Sequence, residues 1–283
     1  MHPIDGLPAL REVIVKYGFQ AKKTLGQNFL FDLNLTQKIA QIAGLTAEDT
    51  AIEIGPGPGG LTRALLKTNA HKVFAIEIDP RAINVLEELK QIENQRLVII
   101  QGDALSINVA EITSAPRKII ANLPYNIATP LLLMWLKQAD LFKSMTLMFQ
   151  KEVAERIVAQ PKSKNYGRLS VMCQAQAVCK RMFDLPPSAF TPPPKVTSSV
   201  VHFVPRTPTI PPKFYQALEI VTKFAFGQRR KMLRSSLKGL NIDINALLEK
   251  AQIDSSQRAE ELSLQNFLKL AEIYQSFSPN HFL

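Results

Sequence analysis

Asn122-Leu123-Pro124-Tyr125 combines the residue types needed to make the exocyclic amine of a nucleobase attack carbon. The N6 of adenine is a poor nucleophile because its lone pair is delocalised into the ring. The Asn122 side-chain oxygen can accept one N6 hydrogen. Pro124 forces an extended turn and leaves neighbouring main-chain carbonyls free, so one of these can accept the other hydrogen. Two acceptors stabilise the positive charge that grows on nitrogen, and a neutral amide is easier to bury than a carboxylate. No strong base is required, because the proton becomes acidic once the new bond has formed. Tyr125 supplies a face for base stacking, an interaction of about 1–3 kcal/mol. A base inside a stack or folded loop has to be extruded to reach such a pocket. Catalytic roles therefore fall on Asn122, Pro124 and Tyr125. Phe190, in a loop stiffened by Pro192, Pro193 and Pro194, is the candidate for a second stacking face. The plain alternatives are a strand-end turn with a packed tyrosine, and ordinary packing of Phe190.

A methyl donor is implied upstream. Gly55, Gly57 and Gly60 fit the pattern G-x-G-x-x-G between a strand and a helix. A pyrophosphate at such a turn is held by main-chain N–H groups, and Pro56 and Pro58 each remove one. The turn suits a cofactor without phosphates, and S-adenosylmethionine is one. The next strand closes at Glu77-Ile78-Asp79, where Glu77 can bind both ribose hydroxyls and Asp79 can cap the following helix. The third closes at Asp103, which can accept the amine hydrogens of the cofactor adenine. Each acid alone could equally be a helix cap or a solvated loop carboxylate; glycines, Glu77 and Asp103 at three successive strand ends argue for one site.

The elements that position these residues follow from periodicity. Short apolar runs at Thr50–Ile54, Lys72–Ile78, Leu97–Gln101, Lys118–Ala121 and Met145–Phe149 predict strands. Helical spacing lies between most of them, at Leu61–Lys67, Arg81–Gln91 and Pro130–Lys137, which implies parallel βαβ units. Arg168–Ala177 and Ser198–Val204 are further strand candidates, although the first has an equal case as a helix. After Pro205, Pro208, Pro211 and Pro212 the pattern becomes helical only, at Lys213–Phe226, Arg229–Lys238, Ile244–Ala251 and Leu264–Ser276. The expected architecture is α/β, a Rossmann-like S-adenosylmethionine-dependent methyltransferase domain over residues 1–207 with a small all-helical, RNA-binding domain over 208–283.

Hydrophobic residues form 46% of the 283-residue chain and the net charge is +10. That composition supports a packed core and excludes a disordered chain. No apolar run reaches the roughly 18 residues of a membrane span, and the first ten residues make a poor secretory signal. Cys173 and Cys179 have no further ligands at metal spacing, so they read as free thiols of a cytoplasmic protein without a metal. From Lys223 to Lys238 there are six basic residues and no acid. Arg229, Arg230, Lys231 and Arg234 are the candidate phosphate contacts on this face, with a solvated helix surface as the alternative.

These segments together resemble the bacterial small-subunit (16S) ribosomal RNA adenine N6,N6-dimethyltransferase family. The resemblance rests on Lys22–Leu30, the glycine loop, Asn122–Asn126, Gln150–Ala154, Tyr166–Leu169, the Phe190 loop and Arg229–Leu233, and covers nearly the whole chain. It implies dimethylation of two adjacent adenosines near the 3′ end of 16S rRNA in the assembling small subunit. It also implies that Asn28 and Leu30 touch the cofactor together with Gly55, Glu77, Asp103 and Asn122. Lys22, Lys23, Arg156 and Arg168 would extend the RNA surface of a protein expected to act as a monomer. Competing readings are the related large-subunit rRNA enzymes that confer macrolide resistance, an assembly factor for which methylation is secondary, and a dinucleotide oxidoreductase. The helical C-terminal segment with its Arg-Arg-Lys run favours the small-subunit reading over the first.

Overall fold

The computed structural model describes residues 2–19, 26–93 and 95–277. Lys22 and Lys23 lie outside the described residues.

The described residues form nine strands: β1 (Phe29–Leu30), β2 (Thr50–Ile54), β3 (Lys72–Glu77), β4 (Leu97–Gln101), β5 (Arg117–Ala121), β6 (Ser144–Gln150), β7 (Ala177–Leu185), β8 (Phe190–Thr191) and β9 (Ser198–Pro205). The helices are α1 (Leu10–Lys16), α2 (Leu33–Ala43), α3 (Gly60–Leu66), α4 (Pro80–Ile92), α5 (Val109–Ile112), α6 (Tyr125–Leu136), α7 (Lys151–Ile157), α8 (Arg168–Gln176), α9 (Pro212–Gly227), α10 (Leu233–Ser236), α11 (Ile244–Ala251) and α12 (Leu264–Phe277). Seven strands form one sheet in the order β4-β3-β2-β5-β6-β9-β7. The first five of that order run parallel, and β9 pairs antiparallel with β6. All of β2 is buried, Glu53 included, so its residues do not alternate between a core face and a solvent face. Order along the sheet reverses between β2 and β5, because β3 and β4 lie to one side and β5 and β6 to the other. Ligands in open α/β sheets bind outside the strand carboxyl ends at such a reversal.

Local chemistry sets the helix ends. Asp32 Oδ1 accepts the Asn34 and Leu35 amides at the start of α2, and Gly44 closes it at φ 56. Asp79 accepts the Arg81 amide at the start of α4, where Pro80 occupies a first-turn position, as its sequence position suggested. Below the sheet, Lys118 reaches the Ala43 and Gly44 carbonyls and pairs with buried Asp49 at 3.0 Å, tying β5 to the end of α2.

The chain divides into two compact units. The first holds residues up to Met134, Asp140–Ala154 and Lys180–Val204; the second holds Trp135–Ala139, Glu155–Cys179 and everything from Pro205 onward. The helical unit is thus not confined to 208–283. Its core includes Phe226, stacked on Phe267 at 5.3 Å and meeting Tyr166 edge-on at 6.1 Å. The Tyr215 hydroxyl donates to the Met172 carbonyl at 3.3 Å, which ties α9 to α8.

Of the two readings open for Arg168–Ala177 the structure shows the helix, and two further elements differ from expectation. Arg168–Gln176 is a helix, not a strand: its residues are mostly unbranched helix formers, and Ser170 Oγ accepts the Gly167 amide at its start. It is buried nearly all round, so no helical period shows in its apolar pattern. The strand comes next, at Ala177–Leu185, where Lys180, Arg181 and Asp184 hide it from pattern reading. It is a sheet edge, and charged residues are what edge strands carry to avoid pairing with other chains. The helix expected over Arg229–Lys238 is a turn followed by the short α10. Gln228 leaves helical geometry at φ -129, and Met232 forms a β-bridge with Arg258 that draws the chain out of a helix.

Candidate active site

Asn28, Leu30, Gly55, Glu77, Asp103, Asn122, Pro124 and Tyr125 all line one cavity of about 230 Å³, at the carboxyl ends of β2, β3, β4 and β5. Most of the residues that sequence placed in one site are therefore brought together.

The glycine loop shows why its residues are small. Gly57 has φ 54, a region that residues with a Cβ rarely adopt, and a Cβ there would meet the Phe29 ring at 3.2 Å. At Gly60 a Cβ would lie 2.7 Å from the Leu30 carbonyl oxygen, so the start of α3 packs directly against β1. Gly55 lines the cavity.

Glu77 is held by three amides. Its Oε2 accepts Gly57 N–H at 3.0 Å, and its Oε1 accepts Ile78 and Asp79 N–H, each at 2.9 Å. Burial pushes its carboxyl above the usual range, against the pull of these hydrogen bonds. Three of the carboxylate's roughly four lone-pair sites are taken, which leaves one on Oε2 to receive a ribose hydroxyl. Asp103 is exposed at the rim and spends Oδ1 on the Leu105 amide.

Asn122 is oriented by Asn28. Its Nδ2 donates to the Asn28 carbonyl oxygen at 3.2 Å. With the donor end so engaged, the side-chain oxygen is the end left for a ligand in the cavity. Asn28 turns its own amide to the Gly26 carbonyl at 3.2 Å. Pro124 does not itself offer a free carbonyl. It accepts the Ile127 and Ala128 amides, both at 3.1 Å, because α6 starts at Tyr125 rather than at Pro130. Leu123, which also lines the cavity, is left as the candidate for the main-chain acceptor.

Phe190 is not presented to the cavity. Its ring is 3% exposed in a core cluster with Leu30, Leu185 and Val200, and its backbone pairs with Leu30 across β1 and β8. Phe190 is packed in the core, and of the two aromatic candidates Tyr125 is the one that lines the cavity. Arg229, Arg230, Lys231 and Arg234 lie in the second unit, exposed. Arg229 is partly committed there, with Nε on Glu260 Oε2 and Nη2 on the Lys164 carbonyl, both at 2.7 Å. Cys173 and Cys179 are free thiols. Among the described residues no cluster of acids, histidines and cysteines could hold a metal, and no helix is long and apolar enough to cross a membrane.

Sequence reasoning assigned no role to Glu53, which also lines the cavity. It is 1% exposed and its Oε2 has no hydrogen-bond partner among the described residues. A carboxylate two residues before the first glycine was the available signal. Burial pushes its carboxyl up to about 8; Thr62 offsets part of this and the Glu77 charge adds to it. An orphaned acceptor of this kind fits a ligand rich in donors, such as the ammonium of an amino-acid cofactor. Its pH behaviour can be tested on the cofactor-free protein. A carboxyl whose folded-state pKa lies above its unfolded value keeps its proton only in the folded state across the interval between them. Stability should therefore fall as pH rises from about 4.5 to about 8. Glu53→Gln, which mimics the protonated acid, should flatten that fall in thermal melts; identical pH profiles for variant and parent would count against a buried neutral Glu53.

The family model described as ribosomal RNA adenine dimethylase matches residues 18–276. A ribosomal RNA small subunit methyltransferase A from Rhodospirillum rubrum is 54% identical over 269 residues, 95% of this chain and 93% of its own length. A dimethyladenosine transferase from Plasmodium falciparum, solved by crystallography, superposes with a TM-score of 0.75 at 27% identity, covering 87% of this chain and 96% of that one. The 23S rRNA methyltransferase ErmE superposes with a TM-score of 0.65 at 25% identity, covering 87% and 98%.

Proposed function

Because the chain belongs to the ribosomal RNA adenine dimethylase family, we propose that it transfers methyl groups from S-adenosylmethionine to N6 of two adjacent adenosines near the 3′ end of 16S rRNA. The observation that carries this reading is the tethered amide of Asn122. Its donor end is spent on Asn28, and its acceptor end is offered to the cavity that Glu77 and the glycine loop also line. The residues present fit the cofactor: Glu77 has a spare acceptor site on Oε2 for a ribose hydroxyl, Asp103 can take the adenine amine, and Glu53 offers an unpartnered oxygen.

When bound, the sulfonium supplies an electrophilic methyl group. The chain's own residues do the rest. Asn122 Oδ1 and the Leu123 carbonyl accept the two N6 hydrogens, localise the lone pair on nitrogen out of conjugation with the ring and stabilise the charge that develops. Tyr125 stacks on the extruded base. The proton leaves nitrogen for solvent after the carbon–nitrogen bond has formed.

Small-subunit RNA is favoured over large-subunit RNA by the 54% identity to a protein named for the small subunit, against 25% to the 23S enzyme. The substrate in this reading is an assembling subunit, and the enzyme works on it as a cytoplasmic monomer. The deciding experiment supplies labelled methyl donor together with either undermethylated small subunits or large-subunit rRNA, and maps the modified base. Label on large-subunit RNA alone would overturn the assignment.

The exposed cations of the second unit bear on affinity rather than chemistry. Arg230, Lys231 and Arg234 are the ones to reverse, since Arg229 already serves Glu260. If they meet phosphates, reversal to glutamate should reduce the slope of log K against log salt by about two or more. A filter-binding series across salt that superposes on the parent's would remove them from the interface.

A further inference from the structure

Tyr125 and Ser198 are 73 residues apart, yet their hydroxyl oxygens lie 2.6 Å from each other. Tyr125 opens α6, shortly after β5. Ser198 opens β9, is fully buried, and pairs in register with Gln150 at the end of β6. β6 lies between β5 and β9 in the sheet. With strands about 4.8 Å apart, β5 and β9 are separated by roughly 10 Å, and the turn over residues 122–124 together with the tyrosine side chain spans the carboxyl end of β6 to make this bond. Because β9 is antiparallel, its first residue stands at the same sheet edge as the carboxyl ends of β5 and β6. The ring is therefore fastened at both ends, by its backbone at the head of α6 and by its hydroxyl at the head of β9. Burial pushes the phenol's pKa upward, and the hydrogen bond to Ser198 offsets part of that shift.

We propose that Ser198 is a positioning residue that fixes the tilt of the Tyr125 ring, and that this tether governs the second methyl transfer more than the first. The inference rests on the reading of Tyr125 as the surface on which the base stacks. In the first transfer, the N6 lone pair forms the new bond to carbon while the carbon–sulfur electron pair returns to sulfur, and one N6 hydrogen leaves as a proton. At the start the amine has two hydrogens, so both Asn122 Oδ1 and the Leu123 carbonyl are engaged and hold the base in line. The second transfer breaks and forms the same bonds, but the monomethylated amine brings a single hydrogen. One acceptor then has nothing to accept, and alignment depends on the plane against which the base lies. A ring free to rock about its side-chain bonds loses that alignment where hydrogen bonding no longer supplies it.

Tyr125→Phe and Ser198→Ala each remove the tether and keep the aromatic face. Under single-turnover conditions on undermethylated small subunits, with products separated as N6-methyl- and N6,N6-dimethyladenosine, each variant should raise the mono-to-dimethyl ratio about tenfold. That corresponds to about 1.4 kcal/mol on the second barrier relative to the first. The double variant should be no worse than either single one, because the same bond is lost. A product ratio equal to the parent's in Tyr125→Phe overturns the proposal, and so does an equal slowing of both steps. Tyr125→Phe is close to isosteric, so it keeps the test alive if Ser198→Ala fails to fold. Tyr125→Ala separates the premise from the inference: full turnover in that variant sinks the stacking reading, whereas lost turnover there with a parental ratio in Tyr125→Phe sinks only the tether.

Discussion

Asn122→Ala is expected to lower kcat by about a thousandfold, the scale on which one aimed transition-state hydrogen bond acts, while RNA binding persists. The side chain has two jobs at its two ends. Nδ2 holds the Asn28 carbonyl at 3.2 Å, which fixes the direction of Oδ1, and Oδ1 accepts a hydrogen from an amine that becomes positive only as it reacts. Interactions that strengthen with developing charge act on the barrier more than on ground-state binding. Asn122→Asp gives the sharper test. A carboxylate would also accept a hydrogen and stabilise positive charge, so a purely electrostatic account predicts retained activity. In this structure, however, the second carboxylate oxygen would face the Asn28 carbonyl, acceptor against acceptor, and the tether would be lost. The aspartate variant is therefore expected to fall nearly as far as the alanine variant. Single-turnover rates at saturating cofactor decide this. An aspartate enzyme within a few-fold of the parent would show that orientation by Asn28 is irrelevant.

Glu77→Ala is expected to weaken S-adenosylmethionine binding about a hundredfold, near 2.7 kcal/mol, with little change in RNA affinity. Two losses combine. The ribose hydroxyls lose a charged acceptor, and hydrogen bonds to charged groups are worth about 1.5–3 kcal/mol. The Gly57 amide also loses its partner at 3.0 Å, so the loop that shapes the cavity relaxes. Glu77→Gln is not a mild replacement. Three amides point at this carboxylate, two of them at Oε1 and one at Oε2. A glutamine has a donor at one end, which must confront at least one of them. Titration calorimetry with the cofactor measures the effect; a dissociation constant for Glu77→Ala within threefold of the parent would falsify the assignment of Glu77 to the ribose.

Much of this site could be read before any coordinates, because its residues sit where a local pattern changes. Gly55, Glu77, Asp103 and Asn122 each follow an apolar run at the point where it stops. A parallel sheet puts all such points on one edge, so alternating strands and helices were enough to predict convergence. The same logic failed where burial erased the pattern. α8 carries apolar and polar residues on all sides of a buried helix, which left strand and helix equally open there, and β7 carries the charges of an exposed edge, which hid it as a strand.

What the residues determined unaided was the α/β class, the phosphate-free cofactor turn and the amide-proline-tyrosine corner, since each depends on neighbours a few positions apart. Tertiary structure alone decided which end of Asn122 faces the cavity, that Phe190 is spent on the core, that Glu53 has an unpartnered oxygen, and that Tyr125 is fastened to a serine 73 residues away. Those outcomes turn on which distant group happens to stand within hydrogen-bonding or packing distance. Strand order and register set those distances, and no short-range spacing in the chain encodes them.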